Sequence, residues 1–294
     1  MATTRRRFLA ALGAVLVVVS CARDAPVGVL VRRAPEAAAM VALPGGGLLY
    51  GERKTGRIRN LDGDVVARVE VRSDGERGLL GIAVDPDDRL FAAWTRRDGR
   101  LVVAQVDPGP ERIVWLGPLS ADRANGGHIE WAPDDTLVIG IGDLEDPGSV
   151  SDLDAPHGKV LRLDPSGPPG QKTEYLSYGW NNPYAFDFTP SGALWLADNA
   201  PGQQEERLLR ADPVGPRTVL PEHTAPSGLA AVDDDTLVVC GHRTKLLLRF
   251  RIGSNRVARL DGPPLARDCR LGVVLLSDGR LAYATDTSIR TVRP

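Results

Sequence analysis

The chain has little cysteine, no surplus of basic charge and no apolar run long enough to cross a bilayer. Its three cysteines, Cys21, Cys240 and Cys269, are spread over 294 residues, and none has the short spacing to a second ligand that a zinc site needs. With 36 Lys and Arg against 38 Asp and Glu, the formal charge is −2. That balance argues against nucleic acid as a partner, because phosphate binding needs a cationic surface. The apolar run from Phe8 to Val19 is 12 residues long, short of the roughly 20 that a mature membrane helix requires. A G-x-S-x-G elbow, a P-loop, a dinucleotide fingerprint and an H-E-x-x-H helix are also missing, which removes the usual carriers of serine-hydrolase, nucleotide and zinc-protease chemistry.

What is present begins with an export signal. Arg5, Arg6 and Arg7 precede the apolar run, which ends at Ser20-Cys21, the layout of a cleaved leader. Thr4-Arg5-Arg6-Arg7-Phe8-Leu9 matches the twin-arginine pattern, and Val18-Val19-Ser20-Cys21 resembles a bacterial lipobox, in which Cys21 is acylated and becomes the new N-terminus. The expected organisation is therefore a signal peptide over 1–20, a lipidated tether over 21–26 and one globular body over 27–294. Such a protein is exported and faces outside the cytoplasm, touching the membrane only through its anchor. An ordinary leader with an incidental cysteine and an uncleaved anchor are the other readings. For Cys240 and Cys269 two readings stay open, a disulfide in an oxidising compartment or a pair of buried, inert small residues.

A repeat sets the architecture. A turn followed by a strand recurs as PGGGLLY, PDDRLF, PDDTLV, PSGALW, DDDTLV and SDGRLA, with shared leucines at 48, 90, 137, 194, 237 and 281, at intervals of 42, 47, 57, 43 and 44 residues. Asp, Gly and Pro supply the turn, and alternating apolar residues supply the strands. A period of this length fits a blade of four short antiparallel strands. Six units predict an all-β, six-bladed β-propeller. The last unit ends after its third strand while Val27–Val31 is an unassigned β-run, so pairing the two closes the ring and removes an exposed edge.

Four longer segments carry a family resemblance: GERGLLGIAVDP (75–86), NGGHIEWAPDDTLVIGIGD (125–143), HGKVLRLDPSG (157–167) and GWNNPYAFDFTPSGALWLADNAPGQQEE (179–206). Together they resemble the soluble glucose and sorbosone dehydrogenases. The resemblance implies a site at the propeller mouth that takes pyrroloquinoline quinone (PQQ) with calcium and oxidises an aldose at C1 to the lactone, a His acting as general base. Here the residue two before Gly126-Gly127, where the family has that His, is Ala124, and a methyl group accepts no proton. His128 is a weak substitute, with a turn or strand-surface histidine as the other reading.

Arginines that the family places against the quinone carboxylates align with Asn181, ahead of Asn182-Pro183, and with Cys269 and Leu271. Arg270 lies between those last two, and on a strand its side chain would point to the opposite face. His242 falls near the family's fifth-blade lysine. The carbonyls of Ala200 and Pro201 fit backbone calcium ligation, with a plain loop built by Asp198, Asn199 and Gly202 as the other reading, and Glu76 and Asp143 match substrate-contacting positions or are solvated loop acids. The five tryptophans read first as packing between blades, and Trp180, next to Asn181, has the best claim among them to the mouth. These replacements remove positive charge or proton-accepting ability, and they imply a degenerate member that binds a sugar or other small ligand. Two alternatives remain: an active quinoprotein sugar dehydrogenase with a rearranged site, and a calcium-dependent lactonase-like propeller using Glu76, Asn125, Asn181, Asn182 and Asp198 on a lactone.

Overall fold

A computed structural model describes residues 28–201, 204–211 and 216–294. The leader, Cys21 and the tether lie outside the described residues. The described chain forms six four-stranded antiparallel sheets. Their inner strands, Ala37–Ala42, Leu79–Val84, Gly126–Trp131, Ala185–Phe188, Pro226–Asp233 and Gly272–Leu275, pack successively around an axis, and the last returns to the first. This is the six-bladed β-propeller anticipated from the repeat. The ring closes as expected in kind but two residues further along: Val29–Arg33 pairs antiparallel with Ser288–Val292 as the outer strand of blade 6.

The repeated turn explains the repeated sequence. Between the inner and second strands the chain passes through a left-handed residue, which is Asp88, Asp135, Gly192 or Gly279 at equivalent places. Only Gly, and less readily Asp or Asn, adopts that conformation at low cost. In blade 2 the Asp85 carboxylate accepts from the N–H groups of Asp87 and Arg89, 3.0 and 2.8 Å away, so the turn is held by its own first residue.

Strand alternation then builds the core. Successive side chains point to opposite faces of a sheet, so in the second strand of blade 2 Leu90, Ala92 and Trp94 pack toward blade 1 while Phe91 and Ala93 pack toward blade 3. In blade 1 Leu49 likewise turns to blade 2, and Leu48 and Tyr50 to blade 6. The result is one apolar cluster in each of the six inter-blade seams. Trp94, Trp115, Trp180 and Trp195 are buried in these seams, and Trp131 packs against the seam between blades 2 and 3.

Where neighbouring inner strands meet near the axis, side chains disappear. A Cβ built on Gly81 would lie 2.4 Å from the Gly127 carbonyl oxygen, and one on Gly228 would lie 2.8 Å from Gly272 Cα. At the same level the ladders of blades 1, 2, 3 and 5 slip register, between Ala37 and Ala39, Leu79 and Gly81, Gly126 and Ile129, and Pro226 and Gly228. Each slip leaves a residue unpaired and bends the strand, as β-bulges do beside binding sites.

Candidate functional site

The bulged ends of the inner strands surround a cavity of about 380 Å³ on the propeller axis, lined by residues from all six blades. Bulge residues Ala38, Leu80 and Ser227 reach it directly. Its floor is Tyr184 from blade 4, whose hydroxyl lies 2.8 Å from the Leu80 carbonyl and 3.0 Å from the Ala38 carbonyl. Those carbonyls belong to bulged positions, so one phenol ties blade 4 to blades 1 and 2 across the axis. Burial holds the Tyr184 pKa above its ordinary value, because a phenolate there would lose hydration.

The wall has two halves. On the side of blades 3 and 4 it presents neutral amides: Asn125, Asn182 and Asn199. Asn182 Oδ1 accepts the Gly126 N–H at 2.9 Å, and Asn125 is tied to its own turn through the Ala121 N–H and carbonyl. The other half carries charge of alternating sign: Glu36, Arg53, Glu76, Arg270 and Asp286, with His242 alongside. Both guanidiniums are engaged. Arg53 donates to the carbonyls of Gly75 and Arg77 at 3.0 and 2.7 Å and faces Glu36 at 3.6 Å. Arg270 meets Asp286 at 3.2 Å and donates to His242 Nε2 at 3.0 Å.

The structure distributes the residues singled out from sequence between the mouth and its supports. Glu76, Asn182, His242 and Arg270 line the cavity. Arg270 requires a correction. The ladder of blade 6 begins only at Gly272, and the N–H groups of Arg270 and Leu271 both reach the Ala284 carbonyl, at 2.8 and 3.1 Å. Strand alternation therefore does not apply to it, its side chain faces the cavity, and with Arg53 the opening keeps two cations. Trp180 also departs from expectation. It does not line the cavity but is 3% exposed in the seam between blades 3 and 4, donating to Ser177 Oγ and stacked under Arg207.

Asp143 and Asn181 face each other rather than a ligand, Asn181 Nδ2 donating to Asp143 Oδ2 at 2.5 Å, while the Asp143 N–H donates to the Asn181 carbonyl at 2.7 Å. The N–H groups of Asn181 and Asn182 converge on the buried carboxylate of Asp198, which also pairs with Arg207 at 3.0 Å. Burial raises the Asp198 pKa, and Arg207 and the two N–H groups oppose that rise. Ala124 sits in a left-handed turn with its N–H on Glu76 Oε2 at 2.9 Å, so Glu76 braces the loop as well as facing the cavity. His128 lies farther down the inner strand, its ring edge-on to Phe186 and 3.6 Å from Glu130.

Ala200 lines a neighbouring pocket of about 290 Å³ with Glu205 and Glu206, whereas Pro201 is exposed. Among the described residues no group of three or more His, Cys, Asp or Glu side chains is gathered to hold a metal ion. Sequence reasoning missed Glu36, Arg53, Tyr184, Ser227 and Asp286. Of these, only Tyr184 had a local signal, its place directly after Asn182-Pro183. Cys240 and Cys269 are joined as a disulfide.

Comparison with known proteins gives this geometry a context. The profile of the family described as Glucose / Sorbosone dehydrogenase matches residues 34–208. The aldose sugar dehydrogenase YliI of Escherichia coli is 25% identical over an alignment of 195 residues that covers 57% of this chain and 52% of that protein, so the chain spans about half the length of that relative. Among solved structures, an oxidoreductase described as a glucose dehydrogenase from Thermus thermophilus aligns with a TM-score of 0.75 at 25% identity, covering 90% of this chain and 98% of that one. The PQQ-bound aldose sugar dehydrogenase of Streptomyces coelicolor aligns with a TM-score of 0.75 at 22% identity, covering 90% and 96%.

Proposed function

Because the chain belongs to the glucose/sorbosone dehydrogenase family, we propose that it is an exported, membrane-anchored member that keeps the axial binding site and has lost the quinone-dependent reaction. The observation that carries this reading is the state of the two arginines in the mouth. PQQ brings three carboxylates, and each needs a cationic donor when buried, an unpaired one costing several kcal/mol. Arg53 and Arg270 already have internal partners, and Glu36, Glu76 and Asp286 line the same cavity. Ala124 offers a methyl group where the family's base stands. The residues present do not fit the quinone. For calcium, the carboxylate of Glu206 is engaged by the Ala225 N–H at 2.9 Å, and Ala200 and Pro201 retain only their carbonyls as ligands.

The ligand that suits this wall is a neutral sugar or similar polyhydroxyl compound. Its hydroxyls both donate and accept, as do the amides of Asn182 and Asn199, while Glu36 and Glu76 accept. The cavity falls within the range of about 300–1,000 Å³ found for small-molecule sites. The lactonase reading is weaker, because Asn125, Asn181 and Asp198 are turned to internal partners.

The test is a dye-reduction assay on protein from residue 22 onward, supplied with calcium, PQQ and a panel of aldoses. The expected result is no turnover, with none restored by Ala124→His. Robust dye reduction by the unmodified chain would return it to the active quinoproteins. Anchoring is supported by Arg5–Arg7, the 12-residue apolar run and Cys21. It predicts a diacylglyceryl-modified Cys21 at the mature N-terminus of protein from the membrane fraction, read by mass spectrometry, and an unmodified Cys21 there would overturn it.

A further inference from the structure

The Cys240–Cys269 disulfide joins the second strand of blade 5 (Thr236–Gly241) to the segment leading into blade 6, and both cysteines are fully buried. Two residues beyond Cys240 stands His242, and directly after Cys269 stands Arg270, both in the wall of the mouth. The two interlock. His242 Nδ1 lies 3.0 Å from the Arg270 carbonyl, and His242 Nε2 lies 3.0 Å from Arg270 Nη2. A carbonyl only accepts and a guanidinium only donates. Nδ1 therefore carries the proton and Nε2 the lone pair. The guanidinium also pairs with Asp286: Nη1 donates to one carboxylate oxygen at 3.3 Å, and Nε lies 3.2 Å from the other without forming a hydrogen bond.

Neither His242 nor Arg270 belongs to a strand ladder. His242 follows Gly241, the last paired residue of its strand, in a turn whose Lys245 is left-handed, and Arg270 lies two residues before Gly272, the first paired residue of blade 6. Before Cys269 the lead-in is held to blade 5 by the bridge of Ala266 to Leu247, the Leu247 N–H meeting the Ala266 carbonyl at 3.0 Å and the Leu265 N–H meeting the Leu247 carbonyl at 2.8 Å. From Cys269 onward the disulfide is the covalent tie to blade 5 beside the two 3.0 Å contacts of His242 with Arg270. We propose that the disulfide is a positioning element of the binding site: it fixes the loop of blade 5 against the lead-in to blade 6, so that the His242–Arg270–Asp286 wall is complete only in the disulfide-bonded chain. The inference rests on the reading of the mouth as a binding site, but the geometry it concerns can be measured without a ligand.

With only four histidines in the chain, imidazole 15N–1H spectra of the full protein are tractable, His242 being assigned by loss of its signals in His242→Gln. The disulfide-bonded chain is expected to show His242 as a single Nδ1–H tautomer. In the Cys240→Ala/Cys269→Ala variant its two nitrogen shifts should move toward an average, and affinity for D-glucose as the probe should fall about tenfold, as for a site left loosely supported. A folded variant that keeps the single tautomer would overturn the proposal. If that variant does not fold, averaged shifts in the native chain overturn it equally. A disulfide-dependent tautomer with no D-glucose binding by either protein would uphold the positioning role and count against the sugar reading.

Discussion

Gly81→Ala puts the ring itself to the test. The new methyl would sit 2.4 Å from the Gly127 carbonyl oxygen, 2.7 Å from the Ile129 nitrogen and 3.1 Å from His128 Cα. All three are backbone atoms of the adjacent inner strand, so no rotamer change relieves the overlap, and blades 2 and 3 must move apart where they approach the axis. Gly81 does not have a positive φ, so the cost is steric rather than conformational. Overpacking of this kind costs about 1–3 kcal/mol, which lowers a urea midpoint by about 0.3–1 M at an m-value of about 3 kcal/mol/M. The control is Gly170→Ala, where the added methyl meets nothing within 4 Å and the backbone is not left-handed; it should change stability by less than about 0.5 kcal/mol. Urea melts followed by far-UV circular dichroism measure both. An unshifted midpoint for Gly81→Ala would mean that the two inner strands are not in contact, and the radial packing would be wrong.

Other consequences can be checked in the same way. Tyr184→Phe removes the hydroxyl shared by the Leu80 and Ala38 carbonyls and should cost about 1–2 kcal/mol, seen as a lower calorimetric melting temperature; an unchanged value would mean that the axial hydroxyl ties nothing together. Asp187 has its pKa raised first by burial and then by Glu130, against the opposing N–H groups of Ala231 and Phe188. A raised folded-state value means that its contribution to stability is fully present below the ordinary aspartate range, about 4, and is lost as pH rises through the folded value. Urea midpoints of the native chain should therefore fall across that window relative to Asp187→Asn, and parallel profiles would refute the assignment.

How much of this was legible in the sequence follows from which interactions are local. The blades were readable because each turn needs a left-handed Asp or Gly next to an alternating strand, and both demands fall within one short segment, as in PDDRLF and PSGALW. Ring closure was readable from an unpaired run at one end and a three-stranded unit at the other. The orientation of Arg270 was not, because it depends on the ladder starting at Gly272 rather than at Cys269, a matter of strand boundary that alternation cannot decide. Trp180 was misplaced because adjacency to Asn181 says nothing about which way the chain turns. The bulges that aim Leu80 and Ser227 at the axis have no signal beyond the glycine that follows each, Ala38 lacks even that, and the pairing of Cys240 with Cys269 joins residues 29 apart that only the fold brings together. Asp286 and Glu36 reach the mouth through loops whose sequences carry no motif.

The central claim is that this mouth has kept a family's binding site while its cations face inward partners instead of the quinone. The direct measurement is a calorimetric titration of the disulfide-bonded chain, from residue 22 onward, with PQQ in the presence of calcium. The account predicts no saturable heat of binding. A saturable isotherm with one equivalent of quinone per chain would contradict it and show that Arg53 and Arg270 leave their partners for the cofactor.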